Sequence, residues 1–416
     1  MRMSNNATGI DTSFADWERE AAATQSGLAN LLAHSSVSQG QSYGHTLSEI
    51  LHQPLTWPET AAGLVARRSE LLRLRETTDA VLLTGSGSSE YVGDCLGPAL
   101  ASELKRTALT CGGGWLLTEG ATAVPGSAPL VISFARSGDS PESAGVLDLL
   151  LERAAAATRH LIITCNREGR LATQYKEHPA ATVIVLDPRT NDRSLVMTSS
   201  FTNMALAARF LGFLDDPQAY EDAVTKLAIA SRHILSTAFD GIDRLAQNPF
   251  RRAVYLGTGC RYGAAREASL KMLEMTAARV VTMAETYLGL RHGPMSFIDG
   301  ETLVVCFLSA DPVRRAYEMD LVREINSKGL GWRKMLVGAR VPRELATEED
   351  LIVEYGVPNG IADHDAPVLD VLAGQILAFH RCLDLGLSPD APSSTGVITR
   401  VVGNFTIHKH NREAHE

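Results

Sequence analysis

Short apolar runs alternate with amphipathic stretches along most of this chain. The first half contains three strand-like runs, each followed by a stretch of helical periodicity, at residues 80–89, 129–138 and 160–166. The second half contains three more, at residues 253–262, 302–311 and 334–340. This alternation predicts an α/β protein whose strands form parallel sheets covered by helices.

The two series of predicted strands are separated by a nearly constant distance along the chain. Three matched pairs are 173, 173 and 174 residues apart: Val81 and Val254, Leu130 and Leu303, Leu161 and Met335. Strands also match by chance between unrelated α/β segments, but here both first strands end in a Gly-x-Gly turn. We therefore predict a duplicated domain, with each copy a three-layer αβα sandwich around a flavodoxin-like or Rossmann-like parallel sheet.

The same pattern predicts where the domains begin and end. We expect an N-terminal arm over residues 1–50, partly disordered, and a C-terminal tail over 387–416. The first αβα domain should cover residues 51–217 and the second residues 218–386. The predicted linker between them is the Asp-Asp-Pro-Gln segment at 215–218.

Composition and charge argue against several functional classes. The 416 residues are 45% hydrophobic and 21% charged, and a net charge of −9 without a basic stripe argues against a nucleic-acid partner. No apolar run approaches the roughly 18 residues of a membrane span, so we expect no membrane partner. The opening residues lack the apolar core of a signal peptide. The six scattered cysteines, without a CxxC pair, are typical of reduced thiols in a cytoplasm.

A Ser/Gly loop between a predicted strand and a predicted helix is a candidate anion site. Ser140 is a good helix cap and Pro141 fits the first helical position. Backbone N–H groups around Ser137 and Gly138 would then converge where the helix dipole favours an anion. The serine hydroxyls can donate to phosphate oxygens, and Arg136 can add charge. Taken alone, the motif also fits an ordinary capped turn.

A second Gly/Ser turn, at residues 84–93, follows the preceding predicted strand. In a doubly wound sheet both loops lie at the carboxyl ends of neighbouring strands, where ligands bind, so Ser88 and Ser89 could complete the same cradle. The turn lacks the spacing of a dinucleotide-binding fingerprint, and the chain has no Walker motif. Nucleotide binding is disfavoured, and we expect no cofactor.

The second half carries different chemistry. Its segment 307–316 has no Ser-Gly-x-Ser motif, whereas Glu267, Lys271 and Glu274 fall on one face of a predicted helix. Their spacing alone also fits a solvated ion pair. His292 lies in an Arg-His-Gly-Pro turn, where a lone histidine is usually an ordinary surface residue.

A third candidate is the Asp-His-Asp run at 363–365, which has the residue types of a metal site. A polar loop before the following apolar helix is the better interpretation. We therefore expect no metal.

Together, these motifs resemble the isomerase half of glucosamine-6-phosphate synthase, and hence the SIS (sugar isomerase) superfamily, which implies two tandem SIS domains. The similarity rests on the Ser-Gly-x-Ser loop, the Gly-x-Gly-Ser-Ser turn, the Glu-x-x-x-Lys-x-x-Glu helix and the Arg-His-Gly-Pro turn. Segments 44–57 and 385–408 also resemble the AgaS group of galactosamine-6-phosphate deaminase/isomerases and tagatose-6-phosphate ketose/aldose isomerases. The likeness extends over about residues 44–408.

The resemblance implies which residues hold the sugar phosphate. Arg136, Ser137 and Ser140 stand at the positions of the phosphate-binding loop, with Arg136 in place of a glutamine. Ser88 and Ser89 match the second hydroxyl-bearing loop.

The resemblance also implies the catalytic residues. Glu274 matches the carboxylate that moves a proton between C1 and C2, with Lys271 and Glu267 as its charged neighbours. His292 matches a ring-opening histidine that the family supplies from the adjacent subunit, so a homodimer or higher homo-oligomer with a shared active site is implied. Two family lysines are missing: Ser199 replaces one, and Arg400 is a candidate substitute for the other.

The implied activity is that of an enzyme converting galactosamine 6-phosphate to tagatose 6-phosphate and ammonia. Two alternatives use the same residues: an aldose–ketose isomerase of a hexose phosphate, and a glucosamine-6-phosphate deaminase. A non-catalytic sugar-phosphate sensor is disfavoured because the charged helix and the histidine turn are both retained.

Overall fold

The computed structural model describes residues 7–34, 37–38, 40–120, 124–153, 157–357, 360–393, 395–403 and 406–408. The strands within these ranges are β1 (Val37–Ser38), β2 (Gln41–Ser42), β3 (Ala80–Gly85), β4 (Ala108–Gly112), β5 (Pro129–Ala135), β6 (Arg159–Thr164), β7 (Ala181–Val185), β8 (Arg252–Leu256), β9 (Val281–Glu285), β10 (Thr302–Leu308), β11 (Arg333–Gly338) and β12 (Leu351–Glu354).

The helices of the first half are α1 (Ala7–Thr24), α2 (Ser26–Ala33), α3 (Gly44–Leu51), α4 (Gln53–Val65), α5 (Arg68–Glu76), α6 (Ser88–Leu104), α7 (Gly113–Glu119), α8 (Pro141–Arg153), α9 (Arg170–Gln174) and α10 (Ser199–Arg209). Those of the second half are α11 (Pro217–Thr237), α12 (Phe239–Ala246), α13 (Cys260–Met275), α14 (Tyr287–Leu290), α15 (Pro312–Ser327) and α16 (Pro367–Asp384).

Two five-stranded parallel sheets form the core of the protein, and they have the same topology. The first sheet runs β4-β3-β5-β6-β7, and the second runs β9-β8-β10-β11-β12. Helices cover both sheets, which confirms the predicted pair of tandem αβα domains. Strands β3, β5 and β10 are buried along their whole length, as expected when helices cover both faces of a parallel sheet.

The strand registers shift the predicted match between the first strands of the two halves by one residue. Val81 pairs with Leu130 in the first sheet, whereas Leu303, the counterpart of Leu130, pairs with Ala253 and not Val254. The turns after the first strands are nearly identical: Gly87 has φ of 57° and Gly259 has φ of 59°, both with ψ of −126°. Side chains rarely adopt this backbone conformation, which explains why both turns carry glycine.

The two halves meet along helices α6 and α13, which cross closely at Gly263. A Cβ atom at this position would overlap the backbone nitrogen of Cys95 on α6, so the crossing needs a glycine. Helix α16 packs against the other side of α13, with Gly374 facing Ala268. This packing places the second-half helix α13 next to the first-half turn that begins α6.

The segments outside the two sheets pack onto the same core. Asp240 at the start of α12 accepts hydrogen bonds from the backbone nitrogens of Gly27 (3.0 Å) and Leu28 (3.3 Å) in α2. In the tail, the Asp390 carboxylate accepts from Thr46 N at 2.8 Å. The predicted disorder of the arm concerns, in part, residues 1–6, which lie outside the described residues. No helix in the described part of the chain is long and apolar enough to cross a membrane.

Candidate functional site

The loop from residue 136 to 140 joins β5 to α8 and has the features of an anion site. Gly138 has φ of 67°, which turns the backbone so that the loop runs into the helix N-terminus. Within the part of the chain that the structure describes, the backbone N–H groups of Ser137, Gly138 and Ser140 have no hydrogen-bond partner. Unpaired N–H groups before a helix N-terminus can bind a phosphate group.

This loop lines a cavity of about 120 Å³ together with the turn after β3. Ser89, in the first turn of α6, lines this cavity with Ser137 and Ser140, whereas Ser88, expected in the same cradle, is not among the lining residues. The other lining residues are Ser86, Ala135, Arg136, Gly138, Glu142, Ser143, Met197, Arg400, Val401 and Val402. The cavity is therefore rich in hydroxyl groups that can donate hydrogen bonds to an oxyanion.

Arg136 lines the cavity, but its guanidinium also donates hydrogen bonds to backbone carbonyl oxygens of neighbouring segments. Its Nη1 donates to the carbonyl oxygens of Ser194 (3.3 Å) and Leu195 (3.0 Å), and its Nη2 donates to the carbonyl oxygen of Arg400 (2.7 Å). The side chain thus fixes the 194–195 segment and the tail beside the phosphate loop. Its predicted contact with phosphate stays a prediction.

The charged residues of α13 lie in the interior, so the alternative of a solvated ion pair is wrong. Lys271 is 1% exposed and Glu267 is 0% exposed. The Lys271 ammonium donates to a Glu274 carboxylate oxygen and lies 3.4 Å from Glu267 Oε1. Glu274 keeps 24% of its side chain exposed, so it is the member of the group that a ligand can reach.

Burial and the neighbouring charges set the protonation of this group. Burial raises the pKa of Glu267 to about 7, against the opposing effect of the Lys271 ammonium. Burial alone would lower the pKa of Lys271, but the carboxylates of Glu267 and Glu274 outweigh it, so the pKa of Lys271 is raised. Lys271 is therefore a fixed cation beside a carboxylate.

Ser88 connects this charged group to the first half of the chain. Its Oγ accepts a hydrogen bond from Lys271 Nζ at 3.0 Å, across the crossing of α6 and α13. Ser88 is the first residue of α6, and Ser89, next to it, lines the cavity. The turn after β3 and the start of α6 thus direct one hydroxyl, that of Ser88, to the charged group and place two, those of Ser86 and Ser89, at the cavity.

His292 makes no hydrogen bond or ion pair with this assembly among the described residues of the chain. It sits in the turn after α14, and its side chain is exposed. Its backbone nitrogen donates a hydrogen bond to the carbonyl oxygen of Gly289 at 2.9 Å. Its predicted catalytic role stays a prediction.

Sequence reasoning missed a bridge between the two loops of the cavity. Ser86 Oγ donates to Glu142 Oε1 at 2.7 Å, which ties the turn after β3 to the first turn of α8. Both residues line the cavity. The sequence gives little indication of this hydrogen bond, because Ser86 and Glu142 belong to no motif of their own. The two loops come together only in the folded sheet.

The two positions that depart from the family motif have different environments. Ser199 is fully buried at the start of α10, where its backbone nitrogen donates to Asp192 Oδ1 at 3.1 Å. It does not line the cavity. Arg400 does line the cavity, and its guanidinium donates to the carbonyl oxygen of Asp192 (2.8 Å) and to Asn191 Oδ1 (2.7 Å).

The Asp-His-Asp run at 363–365 makes ion pairs in two directions. Asp363 faces Arg261 and Arg314 in the second half, whereas Asp365 pairs with Arg209 from the first half at 2.8 Å. His364 lies 3.5 Å from Glu103. Across the described residues, no group of three or more His, Cys, Asp or Glu side chains is arranged to hold a metal ion.

Known proteins share this chain's sequence and fold over most of its length. No family model matches. The D-galactosamine-6-phosphate deaminase AgaS of Escherichia coli is 33% identical over 372 residues, covering 87% of this chain and 95% of that protein.

Solved structures extend the similarity to the fold. The tagatose-6-phosphate ketose/aldose isomerase of Escherichia coli is 30% identical, with a TM-score of 0.79, covering 88% of this chain and 96% of the other. The C-terminal domain of the glucosamine-fructose-6-phosphate aminotransferase of Francisella tularensis shares the fold at 18% identity, with a TM-score of 0.72, covering 85% of this chain and 99% of that domain. The chain belongs to the AgaS family of the SIS (sugar isomerase) superfamily.

Proposed function

We propose that this protein is an amino-sugar phosphate isomerase and deaminase that converts galactosamine 6-phosphate to tagatose 6-phosphate and ammonia. The observation that carries the proposal is the hydrogen bond between Lys271 and Ser88. It places the charged group of the second half beside the hydroxyl-bearing turn of the first half. A phosphate anchor and a proton-transfer group therefore belong to one site. Membership of the AgaS family supports the choice of substrate.

In this proposal the first half holds the phosphate. The free N–H groups of Ser137, Gly138 and Ser140 bind its oxygens at the start of α8, and the hydroxyls of Ser137, Ser140 and Ser89 complete the shell. Arg136 adds positive charge from beneath the loop. An anion then binds to a protein of net charge −9 because the local field, and not the overall charge, is favourable.

The second half supplies the chemistry. With the sugar ring open, the Glu274 carboxylate takes the C2 proton, and the electron pair of that C–H bond forms the C1–C2 double bond of an enolamine. Lys271 stabilises the negative charge that develops on the C1 oxygen. Glu274 returns the proton to C1, and a proton of the nitrogen passes to the C1 oxygen, which leaves a hydroxyl at C1 and an imine at C2. Water adds to the imine, and ammonia leaves as the C2 ketone forms.

A plain aldose–ketose isomerase is the second candidate, because the same carboxylate can act on a sugar without nitrogen. The two candidates differ only in whether C2 carries an amine. The assay is to incubate purified protein with galactosamine 6-phosphate, glucosamine 6-phosphate and tagatose 6-phosphate, and to measure ammonia and ketose. We expect equal amounts of ammonia and tagatose 6-phosphate from the first sugar. Interconversion of tagatose 6-phosphate with its aldose, without ammonia from either amino sugar, would establish the plain isomerase.

The proposal extends to assembly and location. We place the phosphate-binding domain at 51–217 and the catalytic domain at 218–386, and we propose that His292 of one subunit serves the site of its partner in a homodimer. The exposed position of His292 supports this arrangement, since an exposed side chain is available to a second subunit. All six cysteines lie in the described part of the chain and are unpaired, which supports a cytoplasmic location.

A further inference from the structure

The second half has a loop at the position that matches the phosphate loop, between β10 and α15. It comprises residues 309–311, whereas the phosphate loop comprises 136–140, so it is two residues shorter. Helix α15 begins with Pro312 just as α8 begins with Pro141. The duplication therefore places a second helix N-terminus, of a 16-residue helix, at the carboxyl end of a central strand.

Unlike those of the phosphate loop, the backbone N–H groups of this loop are all occupied by carboxylates of the same chain. Ser309 N donates to Glu318 Oε2 at 2.7 Å. Ala310 N donates to Asp363 Oδ1 at 2.7 Å, and Asp311 N donates to Asp363 Oδ2 at 3.0 Å. One carboxylate thus bridges two adjacent N–H groups, as two oxygens of a phosphate would.

Cations surround the Asp363 carboxylate on its other sides. Arg261 Nε lies 3.4 Å from Oδ1, and Arg314 Nη1 lies 3.7 Å from Oδ2. The Asp363 side chain is 8% exposed. Burial alone would raise the pKa of Asp363, but Arg261 and the two backbone donors outweigh it and hold the pKa below its ordinary value. The carboxylate is therefore an anion held by two backbone donors and flanked by two arginines, while the Asp311 carboxylate caps the next two N–H groups, those of Val313 and Arg314.

Arg261 supplies a separate sign that this position is built for an anion. The residue is 1% exposed, and its Nη1 donates to Asp370 and to the Tyr355 hydroxyl. Its Nε, by contrast, has no hydrogen-bond partner among the described residues and faces Asp363. The ion pair of this Nε with Asp363 Oδ1, at 3.4 Å, is longer than a hydrogen bond, and an oxyanion seated slightly closer than the carboxylate would complete one.

We infer that the loop between β10 and α15 is a second oxyanion-binding cradle, which Asp363 occupies from within the same chain. Its ligand class is a small oxyanion such as inorganic phosphate or sulfate. The cradle is closed in the wild-type protein, so each chain presents one phosphate site although the domain is duplicated. The inference does not depend on the proposed catalytic activity, because it rests on contacts of the second half alone.

The test is anion rescue of an Asp363→Ala variant. Removing the carboxylate leaves two backbone donors unpaired and takes away the carboxylate that faces Arg261 Nε, so the melting temperature should fall. Inorganic phosphate should then raise it in a saturable way, by roughly 3 °C at a concentration of about 100 Kd. The wild type measures the general effect of the salt together with phosphate binding at the first cradle, and both are shared by the variant. The Asp363→Ala, Arg314→Ala double variant should need more phosphate for the same rise.

A binding measurement separates the two cradles. In a Ser137→Ala, Ser140→Ala background the first cradle is weakened, and calorimetry should show an additional phosphate-binding event when Asp363→Ala is added. If Asp363→Ala does not fold, Asp363→Ser, whose side chain is polar but too short to bridge both N–H groups, serves in both experiments. The inference is overturned if phosphate stabilises the Asp363 variants no more than the wild type, or if the added substitution brings no new binding.

Discussion

Lys271 is the residue that joins the two halves of the site, and its surroundings explain why a buried ammonium is tolerated there. Two carboxylates and the Ser88 hydroxyl surround its Nζ. A buried charge of this kind is stable only while partners remain, and the two carboxylates mean that one stays when the other is lost. The partner with the unusual protonation is Glu267, whose oxygens make no hydrogen bond of normal geometry to the described residues.

Glu267 should make the stability of the protein depend on pH. Its pKa is about 7 in the folded protein, against an ordinary value of 4.5. The folded state therefore holds this proton more tightly than the unfolded state. The resulting stabilisation is full below pH 4.5, declines as the pH rises, and is lost above about 7. A Glu267→Gln variant lacks this titration. Its free energy of unfolding, relative to that of the wild type, should therefore rise by up to about 3 kcal/mol as the pH is raised from 4.5 to 8.

Thermal melts at pH 5 and pH 8 measure this difference. Glu344→Gln is the matched control, because it makes the same chemical change at an exposed side chain outside the core. An equal gap between wild type and Glu267→Gln at the two pH values would show that Glu267 titrates in its ordinary range.

At the scale of single elements, the loop before α8 makes the clearest prediction. Substituting Ser137→Ala and Ser140→Ala together should weaken sugar-phosphate affinity by roughly 2–4 kcal/mol, because each removes a charge-assisted hydrogen bond. Calorimetry with galactosamine 6-phosphate measures the loss. Thr237→Ala is the control, since that hydroxyl donates to the carbonyl oxygen of His233 on the remote helix α11. Unchanged affinity in the double variant would place the phosphate elsewhere.

The crossing of α6 and α13 makes the second prediction at this scale. Gly263→Ala forces a methyl group onto the backbone of Cys95, so the helices must separate. We expect a loss of roughly 1–3 kcal/mol in unfolding free energy, and lower turnover because Lys271 moves from Ser88. Gly63→Ala in α4 is the control: nothing lies within 4 Å of its added Cβ, so it should be neutral or slightly stabilising. Equal effects of the two substitutions would rule out close packing at Gly263.

Strands and turns could be predicted from the sequence where a short stretch of the chain carries the pattern by itself. The apolar runs gave the central strands β3, β5, β6, β8, β10 and β11, and the matched Gly-x-Gly turns indicated the duplication. The edge strand β4 was missed because its residues are only partly buried, so it lacks the apolar run of a central strand. The bridge from Ser86 to Glu142 spans 56 residues, and no local pattern reports such a contact.

At the scale of the whole molecule, the asymmetry of the two halves follows from what each loop contacts. The sequence showed that the Ser-Gly-x-Ser motif is missing from the second half, but not that Asp363 fills the corresponding loop. Its partners Ala310 and Asp311 are more than fifty residues away along the chain. The charged helix was likewise open to interpretation as a surface ion pair, since spacing gives the face of a helix and not what covers it.

The proposed shared site makes a prediction about the assembled protein. Inactive Glu274→Gln and inactive His292→Ala chains, mixed and allowed to exchange, should recover about a quarter of wild-type activity. Half of the dimers are then mixed, and each has one intact site of two. Subunit exchange must be verified separately, for example with a size tag on one chain. A mixture that exchanges but stays inactive would mean that His292 acts within its own chain.

The central claim is that the Glu274 carboxylate, held against Lys271 beside the phosphate cradle, moves the proton from C2. The most direct measurement is hydrogen exchange at C2 of galactosamine 6-phosphate in deuterated water, followed by NMR with wild type and Glu274→Gln. Wild type should incorporate deuterium into substrate or product. Glu274→Gln should bind the substrate nearly normally yet lose exchange and turnover by about 10²–10⁴-fold. Continued exchange in this variant would contradict the account and give the role of base to another residue, with Glu285 at the end of β9 the first candidate.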